Sequence, residues 1–204
     1  MTGLRQRQKE DRQKRIASVA KNLFAERGYE KTTIEDIAKA ADLSGVTVHN
    51  YFGTKAGVLL ALVIENDRQL IDRLNESLEE KTNDLISLTL LFAKIIMEHA
   101  LENLAKVVWR EVISTVTKNA GSRLSKEYFK LDRQLAFVLE RQITKLQKAG
   151  KVSESVDALH LSKALFQLQN ARFVQFISSD ELNSMDVEQK LRNDLAALFS
   201  VCLP

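Results

Sequence analysis

Residues 32–63 read TTIEDIAKAADLSGVTVHNYFGTKAGVLLALV: a short helix, a tight turn, a second short helix and the start of a long third one. Thr33 sits where an N-cap belongs, and Asp36 three residues on completes a capping-box pattern. Ile34, Ile37 and Ala38 then fall on one helical face. Ala41, Asp42 and Leu43 make the turn, and Ser44 caps the next helix. On that helix Val48, Tyr51 and Phe52 share one side at helical spacing, while Gly45, Val46, His49 and Asn50 share the other. One side is built to pack and the other carries small and hydrogen-bonding groups. A helix–turn–helix lays such a second helix in the DNA major groove, outer side toward the base edges.

Working outward, the preceding helix is expected from about Gln8 to Arg27, with an apolar stripe of Ile16, Val19, Ala20, Leu23 and Phe24, and Gly28 just past its end. The segment RIASVAKNLFAERGYEKTTIEDIAKAADLSGVTVHNYFGTKAGVL as a whole resembles the N-terminal signature of tetracycline-repressor (TetR) type bacterial regulators. The matching marks are Gly28, Thr32–Thr33, Ile37–Ala38, Ser44, Tyr51–Phe52 and Lys55, and they cover roughly the first third of the chain. Three positions depart from the pattern: Asp42 stands where the turn usually has Gly, Val46 where Gly is frequent, and Ala56 where Glu is frequent. Asp is among the few residues that enter left-handed backbone, so the turn tolerates it. Val46 lies on the outer side and alters what is read.

The resemblance implies that Gly45, Val46, Thr47, His49 and Asn50 point into or along the groove. Asn pairs bidentately with adenine, His bonds base edges or phosphate, and Val46 offers a methyl contact to thymine. Thr33, Ser44, Thr47, Tyr51 and Lys55 are expected phosphate anchors, Thr33 and Lys55 at helix starts whose free amides attract anions. Residues 1–55 carry 11 Lys/Arg against 7 Asp/Glu, and the other 149 carry 19 against 20, so the excess positive charge lies with the helix–turn–helix. Its densest portion, Arg5 to Arg15, is either a solvated terminus or an arm that attracts phosphate without reading sequence.

The sole proline of the 204 residues is Pro204, and there are only 7 glycines, so long amphipathic runs go unbroken and the fold class is all-α. About nine helices are expected. A three-helix DNA-binding domain, 1–55, is joined to a larger ligand-sensing and dimerisation domain, 56–204. No run approaches the ~20 apolar residues of a membrane span, and no signal-peptide core precedes the first helix, which places the protein in the cytoplasm and off the membrane. A single cysteine, Cys202, makes no internal disulfide, which fits that compartment.

Beyond Lys55 the helices are expected at about 55–80, 83–100, 104–118, 125–149, 156–178 and 186–202. The fourth turns polar in its second half around Leu70, Ile71, Leu74 and Leu78, as suits a helix exposed on one side. The last two are apolar nearly all round, which predicts burial against a second copy through Leu161, Leu165, Leu168, Leu195, Leu198 and Phe199.

In the family resembled here the larger domain encloses an effector pocket. Its candidate lining in this chain is Phe92, Met97, His99, Trp109, Arg110, Phe137, Phe166, Gln167, Asn170 and Phe173, with plain core packing the competing account for each aromatic. Gln167 and Asn170 stand out as amides within an apolar helix. Asp157 and His160 form one i, i+3 pair, and no second such pair completes a di-metal site. With no serine elbow, phosphate loop, paired histidine motif or cysteine beside a histidine, neither enzymatic activity, nor a metal, nor a cofactor is expected. The function implied is a ligand-responsive regulator, a repressor, that binds a palindromic DNA operator as a homodimer and is released by a small, mostly apolar effector. The alternative is a helical lipid- or partner-binding protein, which leaves the helix–turn–helix unexplained.

Overall fold

The computed structural model describes the backbone of residues 2–78 and 82–200, and the side chains of these except 2–6 and 65–68. Arg5 and Cys202, both singled out from the sequence, lie outside the described side chains. Among the described residues there are nine helices and no strand: α1 (Thr2–Arg27), α2 (Ile34–Ala40), α3 (Gly45–Phe52), α4 (Lys55–Leu78), α5 (Leu85–Asn103), α6 (Lys106–Lys118), α7 (Arg123–Lys148), α8 (Ala158–Ser178) and α9 (Ser184–Ser200). None is long and apolar enough to cross a membrane.

The chain forms two compact units, and they do not follow the chain in one cut. The first holds residues 1–66 and 104–128, and the second 67–103 and 129–204. The border read at Lys55 marks the end of the helix–turn–helix; the compact unit around it also takes in the start of α4 and all of α6. Side-chain packing explains this. Val108, Val112 and Val116 recur along one side of α6 and are buried in one core with Ile16, Ala20 and Phe24 of α1, Ile37 of α2, Val48 of α3 and Leu59 of α4.

In the second unit α5, α8 and α9 pack on one another. Its core is built from Leu74 and Leu78 of α4, Leu88 and Phe92 of α5, Leu139 and Ile143 of α7, Phe166 of α8, and Leu191 and Leu195 of α9. Phe92 meets Phe166 edge to face, ring centroids 6.4 Å apart, an arrangement the ring quadrupoles favour. Asp157 caps α8: its Oδ1 accepts from the His160 backbone N–H at 3.0 Å and its Oδ2 lies 2.9 Å from the His160 ring Nδ1. These bonds, led by the backbone one, hold the Asp157 carboxyl below its ordinary pKa.

Candidate nucleic-acid interface

Local bonds set the entry into α3. At the start of α2, Asp36 N–H donates to Thr33 Oγ1 (3.0 Å) while Asp36 Oδ2 accepts from the Thr33 N–H (2.9 Å) and hydroxyl (2.6 Å). The hydroxyl bond, followed by the backbone bond, lowers the Asp36 pKa. Thr33 has thus committed its one hydroxyl proton, and its part is to hold α2 in place; the free amides of the first turn are what it offers an anion. The turn runs through Asp42 at φ 52°, the one non-glycine left-handed residue among those described, and Leu43 N–H closes on Ala38 C=O at 2.9 Å. Ser44 then caps α3, its Oγ accepting from Thr47 N–H at 3.2 Å and lying 2.8 Å from Thr47 Oγ1.

Beyond these bonds α3 divides as its sequence implies. Val48 is fully buried and Phe52 half-buried against the core. Val46 is 70 % exposed, and His49 and Asn50 are exposed with it. Gly45 and Thr47 are half-buried at the edge. Tyr51 packs its ring beside Phe52, centroids 6.3 Å apart, and stays half-exposed. The outer face thus carries one methyl-bearing, one imidazole and one carboxamide side chain, groups that can contact base edges.

Lys55 is placed differently from a solvated anchor. Its Nζ donates to the Tyr29 carbonyl at 2.7 Å and the Glu30 carbonyl at 3.3 Å, and sits 4.3 Å from the centroid of the Tyr29 ring. It ties the start of α4 to the loop after α1 and carries positive charge there. Burial first, then Glu30 and Glu111, pushes the Tyr29 phenol pKa up. Two turns of chain meet closely at this point: a Cβ on Gly57 would run into the Phe52 carbonyl oxygen, so glycine sets the angle between α3 and α4. Beside the reading helix an open groove of about 890 Å³ is lined by Lys14 of α1, His49, Asn50 and Tyr51, Leu60 of α4 and Arg123 of α7. On α1 itself Arg7, Lys9, Arg12, Lys14 and Arg15 are all exposed.

The residues expected around an effector are scattered. Trp109 and Arg110 lie on α6, in the first unit, with Trp109 packed against that unit's core. Phe92, Met97, His99, Phe166 and Phe173 are buried in the second unit, while Phe137 is 57 % exposed. His99 lies 3.3 Å from the Asn103 amide nitrogen through its Nε2. Gln167 is exposed and Asn170 half-buried, so neither is the buried amide of α8. That residue is Gln169, 3 % exposed. Ser162, Leu165, Phe166, Gln169, Phe173 and Phe176 belong to the buried stripe of α8.

The interface set is corrected in part. Leu165 and Leu195 are core residues of their own chain, Leu195 with no exposed surface, because α5, α8 and α9 bury one another without a second copy. Leu161, Leu168 and Phe199 are half-buried at the edge of that core, and Leu198 is 53 % exposed.

Comparison with known proteins bears on the same helices. The family described as bacterial regulatory proteins, tetR family, matches residues 16–62, from α1 through α3 into α4. The fatty acid metabolism regulator protein of Bacillus subtilis (strain 168) is 24 % identical over 176 residues, 86 % of this chain and 88 % of that protein. Two crystal structures share the fold. A TetR-family transcriptional regulator from Pectobacterium atrosepticum has a TM-score of 0.71 at 20 % identity, covering 94 % of this chain and 93 % of that one. The transcriptional regulator FadR from Bacillus subtilis, in complex with stearoyl-CoA, has a TM-score of 0.68 at 19 % identity, covering 88 % and 95 %. Residues 16–62 thus carry the pattern of the tetR family of bacterial regulatory proteins across the capped helix–turn–helix, and the fold of the solved regulators is shared along nearly the whole length.

Proposed function

We propose that the protein is a cytoplasmic, ligand-responsive transcriptional regulator that binds a palindromic DNA operator as a homodimer and is released by a small, mostly apolar effector. One observation carries the DNA-binding part: Val46, His49 and Asn50 stand exposed on a helix whose other side buries Val48 and half-buries Tyr51 and Phe52, and whose start is capped. Exposed cations on α1 supply attraction to phosphate that does not depend on sequence. Similarity to a fatty acid regulator and to a fold seen with stearoyl-CoA bound supports an effector with a large apolar part. The exposed Leu198 and half-buried Leu161, Leu168 and Phe199 on α8 and α9 are the apolar surface a second copy would cover. A two-fold dimer then reads two half-sites in inverted repeat, about one helical turn or a multiple apart.

The test is selection of bound sequences from random duplex DNA by the full-length chain. The proposal expects an inverted repeat to emerge, with affinity that falls steeply as salt rises. Recovery of no preferred sequence would favour the alternative, a helical binding protein without a DNA target.

A further inference from the structure

Nine phenylalanines, three tyrosines and one tryptophan are spread over the chain. Among the described residues only two of these rings are exposed, Phe129 at 49 % and Phe137 at 57 %, and both stand on the outer side of α7 in the second unit. They belong to one i, i+4 ridge of that helix, Phe129, Arg133, Phe137, Arg141 and Lys145, whose members are all exposed. Ring and guanidinium alternate along it. At a rise of ~1.5 Å per residue the two rings stand ~12 Å apart along the axis, and the ridge is ~24 Å long.

Charge on this side of α7 is of one sign. From Phe129 to Lys148 the exposed ionised groups are Lys130, Arg133, Arg141, Lys145 and Lys148, whereas the two carboxylates of that span, Asp132 and Glu140, are half-buried. An occupant that covers the face must bring both negative charge and apolar groups. Duplex DNA would pair with the cations, but its stacked bases leave the two rings uncovered. A helix that lies in a lipid interface keeps cations on one face and aromatic side chains on the other, and here the two alternate along one ridge. A protein surface meets both demands, since aromatic side chains and arginine anchor protein interfaces within a polar rim. An i, i+4 ridge packs into the groove between the corresponding rows of a facing helix.

We propose that the outer ridge of α7 is a docking surface for an acidic, amphipathic helix of another protein, whose apolar side chains cover Phe129 and Phe137 and whose carboxylates pair with Arg133 and Arg141. The rings supply the area and the guanidiniums set the register, because a carboxylate fits between two apolar contacts only where an arginine stands. The surface lies within the second unit and does not rest on the regulator reading: a chain that bound no DNA would leave it intact.

The experiment uses the full-length chain and labelled synthetic helices of roughly 18 residues, about the length of the ridge, followed by fluorescence anisotropy. One peptide carries leucine on one face and glutamate beside it, a second has serine for each leucine, and a third has lysine for each glutamate. The glutamate–leucine helix is expected to bind saturably at one per chain and to weaken as salt rises. The serine counterpart should bind at least tenfold more weakly and the lysine counterpart not at all. Phe137→Ser and Arg141→Glu should each weaken the first peptide at least tenfold and leave the melting midpoint in place, since both side chains are exposed. Vesicles of phosphatidylglycerol, a duplex of mixed sequence and sedimentation of the chain alone serve as the competing occupants. Absence of saturable peptide binding, equal affinity for the leucine and serine peptides, or binding untouched by both substitutions would each overturn the inference. So would vesicle binding, duplex binding or self-association that Phe137→Ser abolishes.

Discussion

The short helix α3 and the long helix α8 are opposites in how their surroundings are determined. Around α3 the hydrogen bonds that set its entry are short in sequence: Ser44 to Thr47, Thr33 to Asp36, Leu43 to Ala38. Its outer side, Val46, His49 and Asn50, is exposed. Around α8 the decisive contacts come from α5 and α9, and one stripe of an almost uniformly apolar helix is chosen by packing that no local pattern announces. Local bonds make a surface for an outside partner, whereas distant packing makes a core.

The largest expected effect tests that division on α9. Leu195→Arg would place a charge where the side chain has no exposed surface, and should destabilise the fold by more than ~4 kcal/mol in urea titration. Leu198→Arg, three residues on and 53 % exposed, should change chain stability by no more than about 0.5 kcal/mol. If Leu198 faces a second copy, sedimentation of that variant should show the monomer. Similar unfolding by both substitutions would erase the distinction between core and outer surface on this helix.

A smaller effect follows from Asp132 on α7. Burial pushes its pKa up to about 7, against a weaker pull downward from Arg133. The unfolded carboxyl titrates near ~3.9, so the folded state binds the proton more tightly. Stability is fully present below about pH 4, falls as pH rises through 7, and stays lost above. Asp132→Asn should therefore raise stability at pH 8 by roughly 2 kcal/mol, less than the whole shift because the side chain keeps some water, and should flatten the profile between pH 4 and 7. Urea titrations at pH 5 and pH 8 check it; an unchanged slope would mean that the carboxyl is solvated.

The turn before α3 gives the smallest effect. Asp42 holds φ at 52°, so Asp42→Val should cost ~1–2 kcal/mol and Asp42→Gly about nothing or a slight gain. Equal losses from both would show that the Asp side chain, rather than the backbone, makes the turn.

The same contrast explains what was legible in the sequence. Caps, the turn at Asp42 and the two-sided pattern of α3 are all written within four residues of where they act, and each is found as read. Helix ends agree to within about three residues, except that α1 begins at Thr2 where the sequence reading puts its start at about Gln8. The amide on α8 shows the limit. Gln167, Gln169 and Asn170 are equally conspicuous as polar residues in an apolar run, and only the packing of α5 and α9 decides that Gln169 is the one enclosed. Trp109 shows it again: α6 carries a clear apolar stripe, but nothing in that stripe says it buries against α1. Lys55 reads as a cation for phosphate, and its bonds to two carbonyls 25 and 26 residues earlier in the chain are invisible without the fold.

The central claim is that the outer face of α3 reads bases while its supports only position it. Once selection has supplied an operator, its affinity for Asn50→Ala and Lys55→Ala should be compared across single-base variants of each half-site. Asn50→Ala should lose ~1–3 kcal/mol on the best sequence and cease to discriminate at one base pair. Lys55→Ala, which removes a charge and the tie to Tyr29, should weaken every variant alike and leave the preferred sequence unchanged. Discrimination untouched by Asn50→Ala, together with a changed preference in Lys55→Ala, would contradict the account.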